Sequence, residues 1–138
     1  MINRDLVVQL MKSGNLFAEH IGNTLQPFGI SLQQFNVLRI LRGRNGVAAS
    51  LESITNDMIH RMSNTSRIID KLLEKGCVER TVCPENRRKV NIYITQGGLR
   101  LLKKIDEFID HTEKTLTSLL SEHEMDQLLE LLNKLKTK

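Results

Sequence analysis

No run of apolar residues in this sequence approaches the roughly 20 residues that a helix needs to cross a bilayer. The first residues, MINRDLVVQLMKSGN, lack an apolar block followed by a small-residue cleavage site, so a secretory signal is not expected. Two cysteines among 138 residues are too few for a disulfide framework. These absences predict a reduced, cytoplasmic protein without a membrane partner.

The sequence also lacks the signatures of common enzyme sites: it contains no catalytic triad, no glycine-rich phosphate-binding loop and no nucleotide fingerprint. Glu107, Asp110 and His111 share one helical face with a spacing that can hold a metal ion, but such charged faces are more often simply solvated. We therefore predict a protein that is not an enzyme, with no catalytic residues, no metal site and no cofactor.

The composition is that of an ordinary globular protein, with 40% apolar and 26% charged residues. A chain of this length favours a single domain spanning 1–138.

Charge is unevenly distributed along the chain. The segment 60–90 holds eight basic and four acidic residues, so its net charge of +4 equals the formal net charge of the whole protein. The segment 104–130 is acidic instead, with eight carboxylates against two lysines. A basic middle followed by an acidic end indicates a localised surface for a polyanion.

Apolar periodicity and capping signals predict four helices in the first half of the chain, followed by a change to strand-like alternation. The helices are expected over 4–25, from the capping box of Ser31 and Gln34 to about Gly43, over 51–60, and from the N-cap Ser63 to Lys75, before Gly76.

Alternation around Val78–Val82 and Val90–Ile94 predicts a β-hairpin whose tip, CPENRRK, is basic. Thr95 is expected to cap a long helix over roughly 96–119. Ser121 and Glu124 form a second capping box that opens a leucine-rich final helix.

Two helices joined by a turn and followed by a basic hairpin make a winged helix-turn-helix. The fold class is therefore predicted to be mainly α, with a two-stranded β wing and N- and C-terminal dimerisation helices.

The second helix of the pair fits the major groove of DNA, and its first turn is suitably polar. A cationic wing suits the minor groove and its flanking phosphates. The expected DNA-binding residues are Asn64, Thr65, Ser66, Arg67, Lys71, Arg87, Arg88 and Lys89.

The stretch SNTSRIIDKLLEKGCVERTVCPENRRKVNIYITQGG over 63–98 resembles the core of the MarR (multiple antibiotic resistance regulator) family. The first matching feature is a helix that ends in a leucine, a charged pair and a glycine. A strand that contains valine and arginine follows, and the wing after it contains an arginine. The last feature is a threonine with a glycine three residues later. The resemblance implies that Ser63–Arg67 reads the major groove and that Arg88, with Arg87, enters or flanks the minor groove. Where the family has a wing aspartate, this sequence has Asn86, which can form hydrogen bonds but carries no charge.

The terminal helices, about 4–25 and 96–136, hold more leucine than a small monomer can bury, which favours a homodimer around a winged core at about 31–98. MarR-like proteins dimerise through such helices. A two-fold dimer presents its recognition helices about 34 Å apart and favours a pseudo-palindromic operator on double-stranded DNA.

The function that these features favour is a sequence-specific transcription regulator, a repressor that responds to a ligand or to stress. A small-molecule effector could bind among Phe17, Phe35 and Phe108, although these residues could equally be core. Cys83, near the basic wing, is a candidate redox residue, whereas Cys77 is expected to be a small buried hydrophobe. The alternative function is a winged-helix module that binds a protein without sequence-specific DNA binding.

Overall fold

The computed structural model of the protein describes residues 1–61 and 63–136, except for the side chain of residue 87. Within these residues the chain forms six α-helices and one three-stranded sheet. The elements are α1 (Ile2–Leu25), α2 (Leu32–Gly43), β1 (Ala49–Ser50), α3 (Leu51–Asp57), α4 (Thr65–Glu74), β2 (Val78–Cys83), β3 (Asn86–Ile94), α5 (Gln96–Leu116) and α6 (Glu122–Leu135), with a short 3-10 turn at Gln26–Phe28.

The transition from α1 to α2 follows the sequence signals. A 3-10 turn containing Pro27 ends α1, and Gly29 then takes a left-handed conformation with φ of 72°. The predicted capping box is confirmed: the Gln34 N–H donates to Ser31 Oγ at 3.1 Å, and the Ser31 N–H donates to Gln34 Oε1 at 3.2 Å. This turn sets the direction in which the winged part of the chain leaves α1.

The sheet has the order β1-β3-β2, with both pairs antiparallel, so the two-residue strand β1 adds a third strand to the predicted hairpin. The register pairs Val78 with Ile94 and Val82 with Val90, and it shifts between Val82 and Cys83. The turn itself is only Pro84–Glu85. The predicted hairpin is therefore confirmed, but its tip is not basic: β3 begins at Asn86, and the basic residues lie within that strand.

Two helices end earlier than their apolar periodicity predicted. The helix expected over 51–60 is α3, which stops at Asp57 because Met58 adopts an extended conformation with ψ of 139°. The long helix expected to reach about 119 is α5, which ends at Leu116. The capping residues Thr95 and Ser121 are confirmed, since each accepts a hydrogen bond from the backbone three residues later.

The core lies where α1, α2, α5 and the winged elements meet. Its fully buried residues come from all of these elements: Leu25, Val37, Leu38, Ile54, Leu72, Ile92, Leu102 and Ile105. Cys77 is buried as expected, and this burial raises the pKa of its thiol, with the nearby Lys75 ammonium opposing the rise.

Polar contacts join the long helices around this core. Arg42 of α2 donates to both carboxylate oxygens of Asp106 on α5, at 2.9 and 3.1 Å. The hydroxyls of Thr24 and Thr112 lie 2.6 Å apart and link α1 to α5. In contrast, α6 has no buried residue. No helix among the described residues is long and apolar enough to span a membrane.

Candidate nucleic-acid interface

A part-buried pair of hydroxyls joins the two helices of the helix-turn-helix. Thr55 Oγ1 on α3 donates to Thr65 Oγ1 at the start of α4 over 2.9 Å. The side chain of Thr65 is buried, with 4% of its surface exposed. Thr65 was expected among the DNA-binding residues, but the structure places it in the joint between α3 and α4, where it fixes the angle of the second helix.

The first turn of α4 is capped by Asn64, whose side chain accepts a hydrogen bond from the Arg67 N–H at 3.2 Å. The prediction of Ser63 as the N-cap was wrong by one residue. Because the first helical residue is Thr65, the residue directly before it is the one whose side chain can reach the free N–H groups of the first turn.

One face of α4 is exposed and polar, and the opposite face carries the buried Ile69 and Leu72. The exposed side holds most of the residues that the sequence pointed to: Asn64, Ser66, Arg67 and Lys71. An acidic residue, Asp70, lies on the same helix, and Arg80 of β2 pairs with it at 3.5 Å. This exposed ion pair offsets the negative charge that Asp70 would otherwise present to a polyanion.

The wing places Arg88 and Lys89 on the exposed part of β3. Asn86 Oδ1 accepts a hydrogen bond from the Arg88 N–H at 3.1 Å, so the asparagine braces the start of the strand without any charge. The side chain of Arg87, also expected to bind DNA, lies outside the described residues.

The helix that was predicted to enter the major groove is α4, called the recognition helix below, and it lies next to the wing. Ser66 of α4 lines a small cavity of about 110 Å³ together with Arg80 of β2 and Val90 of β3. Arg88 and Lys89 line a larger open cleft, of about 760 Å³, whose other wall is formed by residues around Ser50 at the start of α3. The structure thus places the polar first turn of α4 and the basic residues of β3 on neighbouring parts of the surface.

A groove of about 380 Å³ lies between α4, the end of the α3–α4 connection and the start of α2. Arg67 and Lys71 form one wall, and Gln33 of α2 and His60 of the α3–α4 connection line it as well. Sequence reasoning missed Gln33 and His60, because no spacing rule relates residues from two elements 27 positions apart. The groove extends the exposed side of α4 towards α2 and the α3–α4 connection.

A cavity of about 340 Å³ lies between the long helices and the winged part of the chain. Its walls are Ile21, Leu32, Phe35, Asn36, Arg39, Ile59, Ile109 and Glu113. The Arg39 guanidinium carbon lies 5.3 Å from the centre of the Phe35 ring, so a cation borders the apolar part of the cavity.

Only one of the three phenylalanines expected in a ligand pocket lines this cavity. Phe35 does, but Phe17 lies on the exposed side of α1, and Phe108 packs edge-to-face against Phe28, with ring centres 5.4 Å apart. This cavity therefore includes Phe35 but neither Phe17 nor Phe108, and a ligand-binding role for those two residues stays a prediction.

The remaining candidate residues form no cluster. Cys83 is half-buried at the end of β2, and both cysteines are free thiols. Across 1–61 and 63–136, no three histidine, cysteine or carboxylate side chains lie close enough to hold a metal ion. Glu107, Asp110 and His111 are all exposed.

Comparison with known proteins gives one consistent family. A model of the MarR family matches residues 30–90. An uncharacterised helix-turn-helix transcriptional regulator of Bacillus subtilis (strain 168), YdgG, is 31% identical over 137 residues, covering 97% of this chain and 88% of that protein.

Solved structures show the same fold along almost the whole chain. A MarR-like transcription regulator from Bacillus cereus superposes with a TM-score of 0.88 at 24% identity, covering 99% of this chain and 96% of that one. A mutant MarR from E. coli, complexed with operator DNA, gives a TM-score of 0.85 at 23% identity, covering 95% of this chain and 93% of that one.

Proposed function

This chain belongs to the MarR family, and from that premise we propose that it is a transcription regulator that binds double-stranded DNA sequence-specifically as a homodimer. We further propose that it acts as a repressor. The observation that carries the proposal is the pairing of two surfaces: the exposed polar face of α4 and the basic strand of the wing beside it.

The DNA-binding roles follow from where each side chain lies. Asn64, Ser66 and Arg67, at the exposed start of α4, are proposed to meet base edges in the major groove. Lys71, one turn further along, and Lys89 are proposed to meet phosphates, which position the protein without reading sequence. Arg88, with Arg87, is proposed to enter or flank the minor groove.

The homodimer is proposed to form through the terminal helices, around a winged core at about 31–98 within one domain over 1–138. The support is apolar surface that a monomer leaves in water, on α1 and on the chain from α5 to α6. The exposed apolar residues there are Ile2, Leu6, Val7, Val8, Met11, Leu16, Phe17, Phe108, Leu119, Leu120, Leu128, Leu129, Leu131 and Leu135.

An effector is proposed to bind in the 340 Å³ cavity between the long helices and the winged core. Its apolar walls and its bordering charges, Arg39 and Glu113, suit a small, largely apolar molecule with a polar group.

The role as a regulator leaves no need for catalysis, so we propose that the protein is not an enzyme, and that it acts in the cytoplasm.

The test is selection from a pool of random duplex DNA at near-physiological salt, followed by sequencing of what the protein retains. We expect a two-fold symmetric motif with half-sites about one helical turn apart. Arg88→Ala should weaken binding to the selected duplex by about tenfold. Lys103→Ala, which removes an exposed cation from α5, serves as the matched control and should change binding little.

The same experiment separates this function from the alternative. A retained pool without any motif would mean that only charge-driven binding occurs, and the protein-interaction module would then be the better reading. Binding that Arg88→Ala and Lys103→Ala weaken equally would contradict the proposed role of the wing.

A further inference from the structure

One hydrogen bond crosses the wall of the proposed effector cavity. Asn36 of α2 and Ile59 of the α3–α4 connection (residues 58–64) both line the cavity. The Ile59 N–H donates to Asn36 Oδ1 over 2.8 Å. The two residues that form this bond are therefore also two of the residues that an occupant would touch.

The α2 side of this bond is firmly held. Asn36 lies between the buried residues Phe35 and Val37, and Arg42 ties the end of α2 to Asp106 on α5. A residue on a helix anchored in this way has little freedom to follow a moving partner.

The other side of the bond is weakly held. Met58 is buried, but the Ile59 side chain is 83% exposed, so core packing does little to fix the chain at this point. Among the described residues before Asn64, the other hydrogen bonds stay within the connection or return to α3: the Met58 N–H donates to Thr55 O, the Ser63 N–H to His60 O, and Arg61 to Asn56. Asn64 itself accepts from the Arg67 and Ile68 N–H groups of α4. Of the hydrogen bonds made by the described residues of this stretch, the bond to Asn36 is the one that joins it to α2.

The same connection ends at the recognition helix. His60, Ser63 and Asn64 line the groove beside the exposed face of α4, and Asn64 is the N-cap of that helix. Only four residues lie between Ile59 in the cavity wall and this cap. One short segment of chain thus forms part of the wall of both the proposed effector cavity and the groove beside the exposed face of α4.

We infer that Asn36 is a positioning residue that couples the cavity to the recognition helix through its bond to Ile59, an inference that rests on the proposed function. An occupant that needs more room than the empty cavity offers presses on Ile59, the exposed and least anchored wall. The bond to Asn36 then breaks, the connection moves, and the capped start of α4 shifts from its DNA-binding position. Occupancy disfavours DNA binding because the occupied cavity fits the released connection better.

The coupling can be tested without knowing the effector, because a larger side chain can stand in for an occupant. Ile21, on the α1 wall, is changed to Trp to fill the cavity. Asn36→Leu removes the acceptor at similar volume, and Asn36→Asp keeps an acceptor oxygen as the conservative control. Each variant and the double variant Ile21→Trp/Asn36→Leu are titrated with the duplex that the wild-type protein selects, and exchange of the Ile59 amide hydrogen is followed by NMR.

We expect Ile21→Trp to weaken DNA binding about tenfold in the wild-type background and less than about twofold in the Asn36→Leu background, because coupled residues are not additive. Asn36→Leu alone should speed exchange of the Ile59 amide and weaken DNA binding by about fivefold, while Asn36→Asp behaves as wild type.

Equal effects of Ile21→Trp in both backgrounds would overturn the inference while leaving the proposed function intact. Failure of the wild-type protein to select any motif would instead contradict the proposed function itself. If Ile21→Trp does not fold, the comparison of Asn36→Leu with Asn36→Asp decides alone. If Asn36→Leu then binds DNA as tightly as the wild-type protein and exchanges the Ile59 amide hydrogen as slowly, the inference is overturned.

Discussion

At the scale of single residues, the junction between the wing and α5 depends on a glycine. A Cβ atom at position 98 would lie 2.4 Å from the Cys77 carbonyl oxygen and 2.8 Å from Ile94 Cγ1. Thr95 holds the two segments this close, because its hydroxyl donates to the Gly76 carbonyl over 2.6 Å while accepting from the Gly98 N–H. The threonine and the glycine three residues later thus form one structural unit.

We predict that Gly98→Ala destabilises the protein by about 1–3 kcal/mol, since the new methyl group must displace the Cys77 backbone and the partly buried side chain of Ile94. The measurement is urea unfolding at one fixed protein concentration, because dimerisation makes apparent stability depend on concentration. Gly43→Ala is the control. Nothing lies within 4 Å of a Cβ there, so alanine in the last turn of α2 should be neutral or stabilising. Equal stability of the two variants would show that the junction can relax.

Another residue, Thr65, shows how a polar pattern can mislead. Thr65 belongs to a polar first turn in sequence, yet in three dimensions it is buried and paired with Thr55, so it serves the joint rather than the surface. Hydroxyl groups are short enough to be buried when a partner is available, and a sequence does not reveal a partner ten positions away.

At the scale of elements, the start of α4 decides how its exposed face is presented. A helix leaves its first N–H groups without partners, and Asn64 satisfies that of Arg67. Ser63, which is equally suited to capping by its chemistry, lies one residue too early.

We predict that Asn64→Ala lowers the free energy of unfolding by about 1 kcal/mol, which is the usual cost of losing an N-cap side chain. Ser63→Ala should change it by less than about 0.5 kcal/mol, as expected for a residue that does not cap. Urea unfolding of both variants gives the comparison. The opposite order of stabilities would mean that the helix begins one residue earlier in solution.

The element types and order could be read from the sequence because local signals set them. Capping boxes at Ser31 and Ser121, and the cap at Thr95, depend on residues only three positions apart, and all three are confirmed. The ends of α3 and of the wing strands depend instead on packing between distant segments. Met58 is drawn into the core in an extended conformation, and the register shift after Val82 shortens the turn.

The candidate site likewise combines residues that local sequence patterns identify with residues that only the packing of distant segments brings together. The exposed polar face of α4 follows from helical periodicity, so Arg67 and Lys71 could be identified from the sequence. The cavity could not be outlined, because its walls combine α1, α2, α5 and the connection before α4. Phe35 was the one residue of the cavity wall that the sequence had suggested. No sequence pattern had pointed to Asn36 beside it.

At the scale of the whole molecule, the described chain is well packed around the winged core but leaves its terminal helices with apolar faces in water. On α6, Leu128, Leu131 and Leu135 are spaced three and four residues apart, so they share one face, and all three are exposed. Their burial against a second copy would add to the stability of the pair and would fix the distance between two recognition helices.

We predict that Leu128→Glu with Leu131→Glu converts the protein from dimer to monomer, because two carboxylates on this face would have to be buried at the interface. Sedimentation velocity measures the change. Loss of the dimer should weaken binding to the two-fold symmetric duplex by about 100-fold or more, since simultaneous binding of two half-sites gives gains of that order. The double variant Gln127→Glu with Asn133→Glu places the same added charge on polar, exposed positions of α6 and should remain dimeric. A dimer that survives the leucine substitutions would place the interface elsewhere, on α1, and would leave the apolar face of α6 without a role in assembly.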